Sequence, residues 1–531
     1  MIVQESDSTI DHIFVLRTLV ESALSKKKRK LYCLYVDFSK AFDCIDRNKL
    51  WNKLEKANIS SKMLKTLQSM YRAVKSKIIH KEGCSDFFLC NRGVRQGCIL
   101  SPFLFNFFIR DLEFSLKTEP FAGANIGTEK LPLLAFADDL LLLADTPTEL
   151  QRLINRLEVH CDNNGLKVNL EKTKAMVFRK GGVLARHEKW FFKRERIEVV
   201  SCYKYLGVIF SPGGSWFETQ KRLANQAKKA TNLMKSAFYM YKSINPKILT
   251  KVFDAQIQPI LTYGSEIWGF DEAKDTERVR NNFFRYALGV KRSTPAVAVL
   301  AECGKNGLIF SRYEKIIKYW LKAIRAAPER YIAKAYSKQF EMAERQTQCW
   351  GLNVKLLLQR LGFEEVWANQ RVENDIAFLS DTKQRLMRLA CNDSWDLLED
   401  YSKLTLYRHI KTDIVFETYL GCIIKPYRLC LTKFRLSAHE LMIEKGRELG
   451  IIREHRFCEI CMSGAIESEY HFLCCCNAYT GLRENILPRS LWYETNEQKM
   501  VSILASKDVA TLTKVAKYIY LAMKIRRKRL A

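Results

Sequence analysis

The stretch LAFADDLLLLAD, residues 134–145, sets two adjacent carboxylates, Asp138 and Asp139, inside a run in which nine of twelve residues are apolar. An unpaired carboxylate in apolar surroundings costs several kcal/mol or takes up a proton. Two short strands around a tight turn resolve the conflict. Alternation buries the leucines and sets both acids at the tip, where a divalent cation supplies the missing charge. Two-metal chemistry wants a further acid from another strand. LYCLYVDF (31–38), rich in aromatic and β-branched residues, reads as a buried strand that runs into Asp37. Three carboxylates around two cations can activate a hydroxyl and stabilise a leaving phosphate.

The flanking sequence punctuates clearly. Residues 11–25 have helical periodicity and lead through a basic connector, KKKRK (26–30), into the first strand. Residues 47–78 read as helical, and FFLCNRGVRQGC as a strand leaving into a glycine-flanked loop. Pro102 suits the first position of a helix. Thr146, Pro147 and Glu149 make a helix start with the spacing of a capping box, and that helix should end near Asn163–Gly165. KAMVF (174–178) and YKYLGVIF (203–210) are strand-like, SPGG (211–214) marks a boundary, and 216–450 is largely helical and basic.

Charge and cysteines narrow the class. Lys plus Arg number 87 against 58 acids, a net +29, which favours a polyanionic partner, nucleic acid before an anionic membrane surface. No apolar run is long enough for a membrane span, and Met1–Thr9 is too polar for a secretory leader. Of 17 cysteines, twelve are scattered, as suits a reducing compartment, and five crowd into 458–476. There CEICMSGAIESEYHFLCCC reads C-x2-C-x9-H followed by three cysteines. Cys458, Cys461 and His471 with one of Cys474, Cys475 or Cys476 make a Cys3His set for one structural Zn2+.

YVDFSKAFD (35–43), GVRQGCILSP (93–102), FADD (136–139), NGLKVNLEKTKAMVF (164–178) and YLGVIF (205–210), in that order, resemble palm motifs A to E of the reverse transcriptases of non-LTR (LINE and jockey-like) retrotransposons. The resemblance implies an RNA-directed DNA polymerase acting on an RNA template, a DNA primer or target and dNTPs, with two Mg2+ held by Asp37, Asp138 and Asp139. Asp37 and Asp138 would bridge both ions and Asp139 support them. Phe42 matches a steric gate against the ribose 2′-hydroxyl, with plain core packing as its alternative. Gln96 matches the residue that packs on the nascent base pair. Gly93 and Gly97 allow close backbone approach, and Arg95 is a phosphate contact or a surface arginine. Lys172 matches a general acid for the leaving pyrophosphate, with Lys174 as competitor. Tyr205–Gly207 match the primer grip, while Ser39 and Asp43 fit the pattern without an assigned chemistry. The zinc set resembles the family's C-terminal C-C-H-C knuckle, in which four residues separate His and the last Cys, and this favours Cys476. Arg453, Arg456 and Arg483 would lie near it for phosphate.

The expected fold class is α+β. An antiparallel palm sheet with helices and part of the fingers (31–212) follows a remnant of fingers (1–30). A helical thumb (213–300), a helical region (301–450), a zinc knuckle (451–485) and a basic helical tail (486–531) complete it. The thumb would grip template–primer duplex through KRLANQAKKATNLMKSAFYMYKS (221–243), whose lysines otherwise form a solvated face. The family carries more chain ahead of motif A, including fingers and an endonuclease, so the N-terminus is expected to be truncated. A second reading is a nucleic-acid-binding relic without catalysis. A third is another right-hand polymerase, such as a maturase, telomerase or viral RNA polymerase. Localisation is expected in nucleus and cytoplasm, with SKKKRK (25–30) and KIRRKRLA (524–531) as basic import candidates.

Overall fold

A computed structural model of the chain describes residues 8–118, 123–239, 245–493 and 496–531. They form two compact units. The first comprises 1–219, 264–268 and 316–375, the second 220–263, 269–315 and 376–531.

The first unit is built on the apolar strands read from the sequence. Helix α1 (Thr9–Leu24) leads to β1 (Leu31–Val36), followed by α2 (Arg47–Lys56), α3 (Ser61–Tyr71) and α4 (Leu100–Lys117). Then come β2 (Leu133–Phe136), β3 (Asp139–Ala144), α5 (Pro147–Asn164), β4 (Lys174–Phe178) and β5 (Glu198–Val199). The hairpin β6 (Tyr203–Tyr205) and β7 (Val208–Phe210) ends the series. Five strands pair in the order β5-β4-β1-β3-β2, antiparallel except for β4 with β5. Every residue of β1 is buried, because helices cover both faces of the sheet. Tyr32, Leu34 and Val36 share a core with Leu104, Phe105, Phe108 and Leu153 of α4 and α5. The opposite face meets α1.

Local chemistry sets the element ends. Thr146 Oγ1 accepts the Glu149 amide at 3.2 Å, and Gly165 closes α5 in the left-handed region at φ 70°. The expected helical stretch 47–78 is instead two helices that stop at Tyr71, since Asp46 and Ser60 each cap a new start. Helix α4 begins at Leu100, two residues before Pro102, because Ser101 donates its hydroxyl to the Arg95 carbonyl and its amide to that of Cys98. The helical region 301–450 is divided between the units. Residues 316–375 join the first, where Asp11 of α1 accepts from Lys322 Nζ at 2.6 Å and Tyr319 Oη at 3.1 Å.

The second unit is helical. It includes most of α6 (Phe217–Tyr239), α7 (Lys274–Leu288), α8 (Lys425–Arg435) and α9 (Val509–Leu530). Residues 240–244, within the expected thumb segment, lie outside the described residues. Its core holds a charged cluster centred on Glu302, which accepts from Arg435 Nε at 2.8 Å and Tyr419 Oη at 2.7 Å. Burial alone pushes the Glu302 carboxyl up, but Arg435 and Lys411 hold it below the usual range. The expected basic helical tail is a helix whose inner face is core, while Lys524 and residues 527–531 at its end are exposed. Leu512, Val515, Ile519 and Ala522 of α9 are buried, and Arg526 pairs with buried Glu467 at 2.7 and 2.8 Å. Among the described residues no helix is long and apolar enough to cross a membrane.

Candidate active site

Strand register gathers the site. β1 pairs Val36 with Leu140 of β3 and Tyr35 with Lys174 of β4. Continued one residue, the β1–β3 register sets Asp139 beside Asp37. On the β4 side the chain turns at 170–172, and Lys172 reaches Asp37 from that turn. Asp138 and Asp139 are exposed at the β2–β3 tip, where Phe136 pairs with Asp139 across a two-residue turn. Ala137 takes φ 52° in that turn, a strained conformation for a residue with a Cβ. The Asp139 carboxyl is held above its ordinary range by partial desolvation, then by Asp138 and Asp37, with Lys204 opposing. Such mutual repulsion is what a divalent cation relieves, and all-oxygen carboxylate donors suit a hard divalent ion.

Supporting groups fix this centre. The Asp37 amide donates to Thr173 Oγ1 at 3.1 Å, and its carbonyl accepts from Asn169 at 2.8 Å. Lys172 Nζ lies 3.9 Å from the Asp37 carboxylate, whereas Lys174 is engaged by Glu198 at 2.5 Å. The Tyr205–Gly207 segment is the turn of the β6–β7 hairpin, with φ 45° at Leu206 and 85° at Gly207, the two positive values a type I′ turn requires. Tyr203 stacks on Tyr35 at 4.0 Å. Burial, then Asp139 and Asp37, push its phenol up to about 12.

The loop around Gly93–Gly97 is clamped to the segment after Asp37. A Cβ on Gly93 would come within 2.7 Å of Asp43 backbone atoms, and Gly93 has φ 80°, so only glycine fits. Gly97 also needs its positive φ, 81°. The Val94 amide donates to the Phe42 carbonyl at 2.8 Å, and half-buried Phe42 tilts against Phe105 at 5.0 Å. Gln96 Nε2 donates to Asp43, while Arg95 donates to the Met70 carbonyl at 2.5 Å over the Tyr71 ring.

Sequence reasoning passed over Arg47. It donates to the carbonyls of Gly93 at 2.8 Å, Tyr71 at 3.0 Å and Arg92 at 3.2 Å. One signal was present: a cation in the first turn of α2 opposes the helix dipole and therefore serves something else.

In the second unit, ligand atoms of Cys458, Cys461, His471 and Cys476 all lie within 4.8 Å of one another. Cys458 and Cys476 sulfurs are 4.0 Å apart, and Cys461 sulfur is 3.4 Å from His471 Nε2. A tetrahedral zinc with Zn–S near 2.3 Å needs sulfur–sulfur edges of about 3.8 Å, so the set fits the ion. The contact between Cys458 and Cys476 lowers the first thiol and raises the second, as one proton shared between two sulfurs does. Cys474 is buried in the hydrophobic core and Cys475 is exposed outside the set. Two expected phosphate contacts are corrected. Arg456 donates to the carbonyls of Ile443 and Ile451, and Arg483 to those of Leu473 and Cys476. Both are buried with their guanidinium N–H groups satisfied by backbone carbonyls. Arg453 is exposed.

A basic groove lies between α6 and α7, lined by Lys221, Lys228, Lys235, Arg278, Arg285 and Arg292. Lys235 sits 4.3 Å over the Tyr286 ring.

Residues 2–210 match the family described as reverse transcriptase (RNA-dependent DNA polymerase). The chain is 31% identical over 234 residues to a Pol polyprotein from the type-1 retrotransposable element R2 of Popillia japonica, covering 42% of this chain and 32% of that one. It is 30% identical to the corresponding protein of element R2DM from Drosophila melanogaster, over 36% of this chain and 18% of that one. It thus spans a third or less of these relatives. Telomerase from Candida albicans, solved with a fragment of telomeric RNA, matches at 13% identity over 54% of this chain and 52% of that one, with a TM-score of 0.31 too low to bear on the fold. Residues 2–210 thus match a reverse transcriptase domain, and the relatives that share this stretch are Pol polyproteins of retrotransposable elements.

Proposed function

We propose that this chain extends a DNA 3′ end on an RNA template, joining dNTPs by phosphoryl transfer. The observation that carries the reading is the cluster at Asp37, with Asp139 beside it in the β1–β3 register and Lys172 Nζ 3.9 Å from its carboxylate. Asp37, Asp138 and Asp139 would hold two Mg2+, which when bound activate the primer hydroxyl and stabilise the leaving pyrophosphate. Lys172, exposed and beside Asp37, is the cation able to give the leaving group a proton. Phe42 bars a 2′-hydroxyl by its bulk, and Gln96 faces the nascent pair. The basic α6–α7 groove takes the duplex backbone, and the Cys458–Cys461–His471–Cys476 centre holds one Zn2+ that orders a nucleic-acid-binding module. The test is primer extension with a DNA primer on RNA, dNTPs and magnesium, beside an Asp138→Ala/Asp139→Ala control. Extension by the native chain alone is expected, and Phe42→Val should admit ribonucleotides. Retained RNA binding with no extension would favour the relic reading.

A further inference from the structure

Asp43 has no assigned role, yet it touches the residue expected to read the nascent base pair. Gln96 Nε2 lies 3.1 Å from Asp43 Oδ1 and 3.2 Å from Oδ2. An ionised carboxylate only accepts, so the Gln96 amide must turn its NH2 toward Asp43 and its Oε1 away. A glutamine side chain free in solvent has no such preference. Backbone contacts already fix where the two residues meet. The Gly93 amide donates to the Ile45 carbonyl at 2.9 Å, and the Asp43 amide to that of Lys40 at 2.9 Å. The Asp43 side chain is exposed and holds no core together. Its carboxylate is therefore left to orient one amide, adjacent in sequence to the Phe42 ring.

We infer that Asp43 is a positioning residue that fixes the Gln96 carboxamide so that it presents an acceptor to the incoming nucleotide, an inference that rests on the polymerase reading above. Asp43→Asn is the informative variant, because an amide at 43 donates as well as accepts and lets Gln96 flip. It should raise the KM for dTTP on a primed poly(rA) template about tenfold, as loss of a hydrogen bond to a charged group does, with kcat changed less than about twofold. In a Gln96→Ala background the same change should add less than about twofold, since Asp43 would then have nothing to orient. A structural role predicts the opposite, multiplying penalties and a lowered melting temperature.

A second measurement needs no activity. In protein labelled with 15N-glutamine, the Gln96 side-chain NH2 signals, identified by their loss in Gln96→Ala, should shift toward free-amide positions in Asp43→Ala. Gln96 signals indifferent to Asp43, or additive KM effects, overturn the proposal. No extension by the native chain, with Gln96 signals still dependent on Asp43, counts against the polymerase reading and not against the contact.

Discussion

Lys172 and Lys174 lie two positions apart at the start of β4, and the sequence leaves them as competitors. Their partners separate them. Lys174 is bound to Glu198 on a mostly exposed strand edge, an interaction worth about 0–1 kcal/mol. Lys172 is exposed, with the Asp37 carboxylate at 3.9 Å. Lys172→Ala should slow extension by about a hundredfold with little change in KM, the range of a lost general acid. Lys174→Ala should change it less than about threefold. Single-turnover primer extension measures both, and equal losses would return Lys174 to contention. The acids at this scale were legible because a carboxylate in an apolar run has few explanations. Arg456 and Arg483 were not, because charge and proximity suggest phosphate, whereas only the fold reveals which backbone carbonyls need a donor. Arg47 was missed for the same reason: its partners at 71, 92 and 93 are distant in sequence.

Elements were legible wherever punctuation was local. The α5 cap at Thr146, its glycine stop and the β2–β3 hairpin follow from residues within four positions of each other. The two-helix break in 47–78 rests on local caps at Asp46 and Ser60 that the apolar period hides, whereas the assignment of 316–375 to the first unit depends on contacts across hundreds of residues, such as Asp11 with Lys322. Helix α5 carries its own pH response. Burial, aided by Lys53 and opposed by Asp111, pulls His160 down to about 4. With the folded value lowered, the contribution to stability is complete above the unfolded pKa near 6.5 and is lost as pH falls toward 4. Thermal unfolding between pH 6.5 and 4.5, above most carboxylate titration, should show a steady loss, on the order of 1–3 kcal/mol by its end, that His160→Gln flattens. The cysteine module gives a sharper test. Cys476→Ser should lose one equivalent of zinc on metal analysis of the purified chain, and Cys475→Ser should lose none. Cys474→Ser should lower the melting temperature while zinc is retained, because that residue belongs to the apolar core.

For the whole molecule the governing quantity is the net charge of +29, too large to be neutralised by internal pairing. Much of the basic sequence is nonetheless occupied: Arg435 and Arg526 are buried against glutamates, and Lys305 is paired with Asp254. Charge available to a polyanion is therefore concentrated where cations are exposed together, and the α6–α7 groove is such a place. Exposed Lys228 and Arg278 line it, with half-buried Lys235 over Tyr286. Binding of a primed RNA should weaken steeply with salt, because each neutralised phosphate releases condensed counterions. Lys228→Ala and Arg292→Ala, both at exposed groove positions, should each flatten the plot of log K against log salt by about 0.9 on a duplex, with equal effect on unrelated sequences. Lys305→Ala should leave the slope unchanged, since its charge already has a partner. The slope is more diagnostic than the affinity. A solvated lysine face loses affinity when any charge is removed, through the long-range field alone, but only a groove in contact with phosphates loses counterions in steps. If the groove variants keep the native slope, the lysines of 221–235 are a solvated face, and the duplex must be held elsewhere.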